Sequence, residues 1–213
     1  TVPMVSAIGN HEVAGGYNGT PDKAPIYLQY LAQDDERSYF VRRVGPRLVI
    51  FLLDSGHLTK HAGAQTEWLT QQLTAHAAVP VRLATYHVPL FPGFRLPSGR
   101  YSRAGRKHWQ PLFDRYGLMA AFENHDHIFK RTHPIRGDSI DPQGTIYLGD
   151  GSFGRGPRVI DGPRQTHLHR RWYLDKLRAE GHIWRVDIEA DSVVFAAVNR
   201  DGDVFDRVTR SIP

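Results

Sequence analysis

Two histidines, His125 and His127, stand two positions apart in Asn124-His125-Asp126-His127, directly behind the apolar run 118–122. A neutral imidazole is a good metal ligand, and two of them delivered just past the end of a buried strand make a candidate metal site. In an extended segment residues i and i+2 share a side, so the pair is expected to face one spot with Asp126 turned away. The same kind of residue closes three other apolar runs. The run 4–8 leads into Gly9-Asn10-His11-Glu12, 47–53 into Asp54-Ser55-Gly56-His57, and 81–86 into His87-Val88-Pro89. A lone His-x-His is most simply a solvated pair, and His167 and His169, set in a basic stretch with no strand before them, are read that way. His61, His76, His108, His133 and His182 also lack the strand-end setting and are assigned no role.

The elements that must position these residues alternate between strand and helix. Segments 39–44 and 47–53 read as a hairpin around Gly45-Pro46, and the second is apolar enough to be covered on both faces. Segment 26–31 reads as a short helix or turn. Segment 64–76 has Trp68, Leu69 and Leu73 at helical spacing, 81–86 is a strand, and 104–116 is a helix kinked or restarted at Pro111. Strands are expected over 118–122 and 145–148, the latter ending at Gly149-Asp150-Gly151. A closing meander follows over 182–188, 192–199 and 204–208, turning at Asp201-Gly202. Strand followed by helix, repeated, implies a layered α/β fold, in which ligands bind beyond the carboxyl ends of the strands. Position and residue type therefore select the same group of side chains.

Composition narrows the function classes. The 213 residues suit one domain with a full core, and 40% apolar residues are ordinary for a globular chain. There is no cysteine, which rules out disulfides and thiolate metal sites. The formal charge of +5 favours anionic ligands. The basic residues are scattered among acids, so no specific nucleic-acid binding is expected. No apolar run approaches the ~20 residues of a membrane-spanning helix. Residues 1–9 have neither the basic nor the apolar region of a signal peptide.

Taken together, the motifs resemble the calcineurin-like metallophosphoesterases, and within them the purple acid phosphatase-like branch. The resemblance rests on Gly9-Asn10-His11-Glu12, on Tyr86-His87-Val88-Pro89-Leu90-Phe91-Pro92, and on Asn124-His125-Asp126-His127 with Lys130-Arg131-Thr132-His133-Pro134-Ile135 behind it. Asp54-Ser55-Gly56-His57, followed by Gln65, Trp68, Leu69 and Leu73, adds to it. The resemblance implies a layered α/β/β/α sandwich and a metal-dependent hydrolase of phosphate mono- or diesters. It implies two metal ions, drawn from iron, zinc and manganese. Asn10, His87 and His125 would hold one ion and His127 the other. A hydroxide bridging the ions would attack phosphorus, and His11 would stabilise the phosphate and protonate the departing oxygen as general acid. His57 and Asn124 are candidates for touching the substrate; against this stand a loop histidine held by backbone and a plain turn residue. Arg95, Arg100, Arg103 and Arg106 lie in and after the loop behind His87, where substrate could approach. Asp126 would orient a ligand imidazole or cap its turn.

Two departures from the family pattern bear on these expectations. Asn124 stands where the family usually has Gly, and as the residue most tolerant of positive φ after glycine it should keep the loop shape. The family's two acidic motifs should precede Gly9, and none of the first eight residues is acidic. Two divalent ions ~3.5 Å apart repel by on the order of 20 kcal/mol at an effective dielectric of about 20, so anionic ligands are needed. The expectation is a single metallophosphoesterase domain, 1–213, that is the C-terminal two-thirds to three-quarters of a longer one and inactive by itself. A pseudoenzyme lacking the acidic half-site and a mononuclear zinc hydrolase on His87, His125 and His127 remain open. So do localisation, for which the resemblance is compatible with a periplasmic or secreted protein, and oligomeric state.

Overall fold

The structure, a computed structural model, describes residues 4–32, 37–149, 151–162 and 167–212. In chain order its regular elements are β1 (Phe40–Val44), β2 (Leu48–Leu52), α1 (Ala64–Ala75), β3 (Val81–Tyr86), α2 (Arg100–His108), α3 (Gln110–Tyr116), β4 (Ala120–Glu123), β5 (Phe129–Thr132), β6 (Ile135–Arg136), β7 (Ser139–Ile140), β8 (Ile146–Gly149), β9 (Leu174–Arg178), β10 (His182–Ile188), β11 (Ser192–Asn199) and β12 (Val204–Ser211). Seven strands form one mixed sheet in the order β1-β2-β3-β4-β8-β5-β9, and β10-β11-β12 form a separate antiparallel meander.

The strands that matter for function are β2, β3, β4 and β8, which run parallel with Ile50 opposite Leu83, Tyr86 opposite Glu123, and Glu123 opposite Gly149. Their carboxyl ends therefore lie along one edge. Each is apolar nearly throughout, because the sheet is covered on both faces. On one face Leu69 and Leu73 of α1 and Phe113 of α3 pack with Phe51, Ala84, Tyr86 and Ala121. On the other Val193 and Phe195 of β11 pack with Val81, Leu83, Ala120 and Leu148. The layers are helices, mixed sheet and small sheet. The outer helix layer expected beyond the small sheet is not formed among the described residues.

Several expected elements take a different form. Segment 4–8 is not a strand: it joins no ladder, Met4 and Val5 are exposed, and Ile8 is instead buried with Val13, Ala24 and Tyr27. An apolar run becomes a strand only where a neighbouring edge accepts its backbone hydrogen bonds. The 104–116 helix restarts near Pro111, as one of the two expected forms, giving two helices. The first begins earlier, at Arg100, and the break falls at Trp109; Pro111, which has no amide hydrogen, sits at the start of the second, where none is needed. Segment 26–31 is a short helix, one of the two expected forms, closing as a π-helix over Tyr27–Leu31. Strands β5 and β9 are additions that their polar sequences, Phe-Lys-Arg-Thr and Leu-Asp-Lys-Leu-Arg, conceal. Asp150, expected in a turn near the site, lies outside the described residues.

Beneath the site edge is a buried ion pair. Glu123 and Lys130 are both fully buried, and Lys130 Nζ donates to Glu123 Oε2 and to the Phe91 carbonyl. Glu123 Oε1 also accepts the Tyr86 hydroxyl at 2.8 Å and the Leu90 amide at 2.7 Å, and Oε2 accepts the Phe91 amide at 3.3 Å. One carboxylate thus joins β3, β4, β5 and the loop that leaves His87. Removing one partner from a buried pair strands the other charge, typically at a cost of about 3–5 kcal/mol. Glu123→Gln is expected to lower stability by about that amount in urea unfolding. A loss below about 1 kcal/mol would show that the pair does not hold this edge together.

Candidate metal site

The site is assembled from loops that leave the sheet edge. After β2, Asp54 accepts four amides: Gly56 at 3.0 Å and His57 at 2.6 Å on Oδ1, Leu58 at 2.9 Å and Thr59 at 2.8 Å on Oδ2. The Ser38 hydroxyl also donates to Oδ2 at 2.6 Å, and Gln65 grips the Asp54 backbone from α1. This winding buries His57 completely. Its Nδ1–H donates to the Gly16 carbonyl at 2.7 Å, and Ser55 Oγ lies 3.3 Å from its Nε2. Ser55 Oγ in turn accepts the Val88 amide at 2.8 Å, tying this loop to the one behind β3. His57, read either as a substrate contact or as a loop histidine held by backbone, is held on the Gly16 carbonyl with both ring nitrogens engaged.

His87 follows β3. Its Nε2–H donates to Asn10 Oδ1 at 2.6 Å, and its ring lies 4.5 Å from that of His125 and 5.3 Å from that of His57, centroid to centroid. Gly9 makes this approach possible, since a Cβ there would stand 2.9 Å from His87 Nδ1. Asn10, His87 and His125 come from three separate segments, and His87 bonds the first and packs on the ring of the last. Burial pushes His87 down to about 2, with the neighbouring His125 imidazole adding to the shift. Burial and Arg95 push His125 down to about 4. Both rings are therefore neutral across the physiological range, the state in which imidazole binds a metal.

His125 and His127 are not held as alternate residues of an extended strand. Each has a left-handed backbone, φ 67° and 53°, while Asn124 does not. The Asp126 amide donates to the Asn124 carbonyl at 2.7 Å, closing a γ-turn about His125. The positive φ expected at Asn124 thus falls on the histidines themselves, a strain of order 1–3 kcal/mol each that clusters at working sites. Asn124 acts as a brace instead: its Nδ2 donates to the Tyr86 carbonyl at 3.0 Å and its amide to the His87 carbonyl at 3.1 Å. Asp126 points away from the site, as expected. It accepts the Phe94 amide at 2.9 Å and pairs with Arg95 at 3.1 Å.

The turn sends its two rings apart. His125 faces His87 and the Tyr17 hydroxyl, which stands 3.1 Å from its Nε2. His127 is half-buried against Gly151, and its pKa is lowered by burial and by Arg158, Arg155 and Arg95. His11 is exposed on the turn after Gly9, and Glu12 folds back so that its Oε2 accepts the Gly9 amide at 2.8 Å. Among the described residues no three His, Asp or Glu side chains close around one point as a metal cage. The donors that do meet, a carboxamide oxygen and two imidazoles kept neutral by burial, suit a zinc- or iron-type ion. No carboxylate joins them among the described residues.

Sequence reasoning missed Tyr17. It stacks on Tyr101 at 4.4 Å and on His57 at 4.8 Å and covers His125. Its only signal is an aromatic residue within the glycine-rich stretch 15–19. Of the arginines in the following loop, Arg106 is structural, donating to the Leu90 and Pro97 carbonyls, while Arg95 belongs to the His125 turn. His182, given no role, is buried on the Gly149 carbonyl.

The layered mixed sheet has the fold of the purple acid phosphatases over part of their length, and in sequence the chain is purple acid phosphatase-like. No family model matches the chain. It is 25% identical over 181 residues to purple acid phosphatase 23 of Arabidopsis thaliana, a match taking in 78% of this chain and 38% of that protein. The structure of purple acid phosphatase PPD1 from yellow lupin (Lupinus luteus) seeds superimposes with a TM-score of 0.79 at 19% identity, over 99% of this chain and 41% of that one. GAP50, the anchor in the inner membrane complex of Plasmodium, gives 0.65 at 11% identity, over 92% of this chain and 63% of that one. The chain thus spans about two-fifths of the length of the purple acid phosphatases it matches.

Behind the site, His61 is buried on Trp109, ring centroids 4.3 Å apart, and its Nε2 has no hydrogen-bond partner. Burial pushes it down to about 3. A histidine depressed on folding takes up its proton first in the unfolded chain, so its stabilising effect is complete above pH ~6.5 and is lost as pH falls toward its folded value. His61→Phe, which removes both the proton site and the unpaired nitrogen, is expected to raise the urea midpoint more at pH 4 than at pH 8. An equal shift at the two pH values would contradict this.

Proposed function

We propose that this chain carries the histidine side of the hydrolytic centre of a metal-dependent phosphoesterase acting on phosphate mono- or diesters. The observation that carries this reading is the meeting of Asn10, His87 and His125, three neutral donors from three separate segments, two of them strand ends. Asn10 Oδ1, His87 Nε2 and His125 would hold one ion, and His127, on the outer side of the same turn, would serve a second. The ion bound there, iron, zinc or manganese, supplies a Lewis acid for the phosphoryl oxygen and acidifies a water molecule.

The chain's own residues do the rest. The γ-turn and the Asn124 brace fix where His125 presents its ring. Gly9 lets His87 lie flat against the backbone that bears Asn10. His57 and Tyr17 wall the site and exclude water from one side, which strengthens charge interactions within it. His11, exposed beside Asn10, would give a proton to the departing oxygen, an effect typically worth ~10²–10⁴-fold. A segment of a longer metallophosphoesterase domain is the organisation this reading favours, with acidic ligands supplied from outside the described residues. A non-catalytic scaffold is the second reading, favoured by the lack of a carboxylate among the donors that meet.

In the full-length protein loaded with zinc, His11→Ala is expected to keep its metal content by plasma mass spectrometry and to lose at least ~10-fold in turnover of p-nitrophenyl phosphate. His125→Ala is expected to lose the metal as well. Loss of metal in His11→Ala would contradict the general-acid role, and full-length wild-type protein that binds zinc without turnover would favour the scaffold.

A further inference from the structure

Tyr17 stands at the site with no task in the hydrolytic reading beyond excluding water. Its hydroxyl lies 3.1 Å from His125 Nε2, and the two rings meet nearly at right angles with centroids 6.3 Å apart. The His125 ring makes no other hydrogen bond among the described residues.

The position of that hydroxyl is built in from several directions. Gly15, Gly16 and Asn18 have left-handed backbones, φ 89°, 81° and 53°, which turn the chain sharply on both sides of Tyr17. The Asn18 amide donates to the Gly56 carbonyl at 3.0 Å and the Gly19 amide to the His57 carbonyl at 2.7 Å, so this strap is laced to the loop behind β2. His57 Nδ1–H secures it again on the Gly16 carbonyl at 2.7 Å. The Tyr17 ring stacks on two others, His57 at 4.8 Å and Tyr101 at 4.4 Å. Tyr101 is itself fixed. Asn18 Nδ2 donates to its hydroxyl at 2.8 Å, and Gly56, with φ 97°, leaves it space in which a Cβ would come within 2.6 Å of its ring. A phenol held by a laced backbone and two stacked partners presents its oxygen at one point rather than swinging clear of the site.

A neutral imidazole carries its proton on one nitrogen and offers the other, and the partner of the first decides which is which. The two nitrogens point to different sides of the ring, so a group on Nε2 does not obstruct one on Nδ1. A phenol oxygen gives or accepts a hydrogen bond, and can therefore receive Nε2–H while Nδ1 keeps its lone pair. Metal-binding histidines are oriented in this way by a partner on the nitrogen turned away from the ion.

We propose that Tyr17 is a positioning residue: its oxygen accepts Nε2–H of His125, which leaves Nδ1 as the nitrogen that His125 offers to an ion. This role rests on the hydrolytic reading above, because it matters only where His125 binds an ion; the hydrogen bond itself does not depend on that reading.

Two measurements on the full-length protein separate the bond from its use. The first is proton–nitrogen NMR with isotope-labelled histidine. In the metal-free protein Tyr17→Phe, which keeps both stacks, is expected to move the His125 Nε2 resonance, assigned by its loss in His125→Gln. With zinc added to the wild type, Nδ1 is expected to take the metal-bound shift while Nε2 keeps its proton. An Nε2 resonance that Tyr17→Phe leaves unmoved, or zinc on Nε2, would overturn the role. The second is zinc affinity by isothermal titration, which Tyr17→Phe is expected to weaken by about tenfold. Unchanged affinity would overturn the role, and so would tighter binding, which would mean that the hydroxyl merely occupies the nitrogen the ion needs. Tyr101→Phe disturbs the strap but not the bond to His125, and is expected to leave zinc affinity unchanged; an equal loss in both variants would assign the effect to packing and overturn the role. Wild-type protein that shows the Tyr17–His125 bond yet takes up no zinc would instead contradict the hydrolytic reading, and the positioning role with it.

Discussion

The arrangement depends on one buried carboxylate. Glu123 ends β4 under the site, where an ionised side chain is tolerated only if its charge and lone pairs are met. Lys130, the Tyr86 hydroxyl and the amides of Leu90 and Phe91 meet them. These partners come from β5, β3 and the loop after His87, so satisfying Glu123 fixes where three segments leave the sheet. His87 and His125 then emerge from neighbouring strand ends onto an already braced edge. The aromatic residues between them, Tyr86 and Phe91, are core and hold no position at the site themselves.

A second carboxylate, Asp54, braces the neighbouring strand end in the same way. It gathers four amides into the loop that carries His57, and Ser55 links that loop to Val88. Rigid supports on both sides allow the site itself to hold strained backbone, with left-handed φ at His125 and His127. A turn of this kind directs one ring inward to His87 and the other outward to the arginines. An extended segment would have put both on one side. The two histidines therefore face different surroundings, His125 the His87 ring and His127 the charges of the arginines.

Much of this was legible in the sequence because parallel strands reveal themselves twice, by an apolar run and by what stops it. Segment 81–86 followed by His87, and 47–53 followed by Asp54, follow that pattern, while the Asn10, His87 and His125 grouping came from the family resemblance. Lys130 was illegible because a buried lysine looks like any surface lysine until its carboxylate partner is known. Strand β5 was hidden for the same reason, since Phe-Lys-Arg-Thr carries its polar atoms into the core and into pairs with Asp175 and Asp206. The left-handed histidines were illegible because glycine and asparagine are the residues that announce positive φ. Segment 4–8 misled in the opposite way: its pattern is that of a strand, but strand formation depends on a partner that the local sequence does not specify.

The fold is that of the metallophosphoesterases, and the donors that meet at its edge are neutral ones suited to a transition-type ion. Zinc-soaked crystals, with anomalous scattering recorded on both sides of the zinc absorption edge, test the central claim most directly. A zinc peak is expected within ~2.0–2.2 Å of nitrogens of His87 and His125, with Asn10 Oδ1 turned toward it. A peak elsewhere on the molecule, or an Asn10–His87 hydrogen bond that persists with no zinc between these residues and His125, would contradict it.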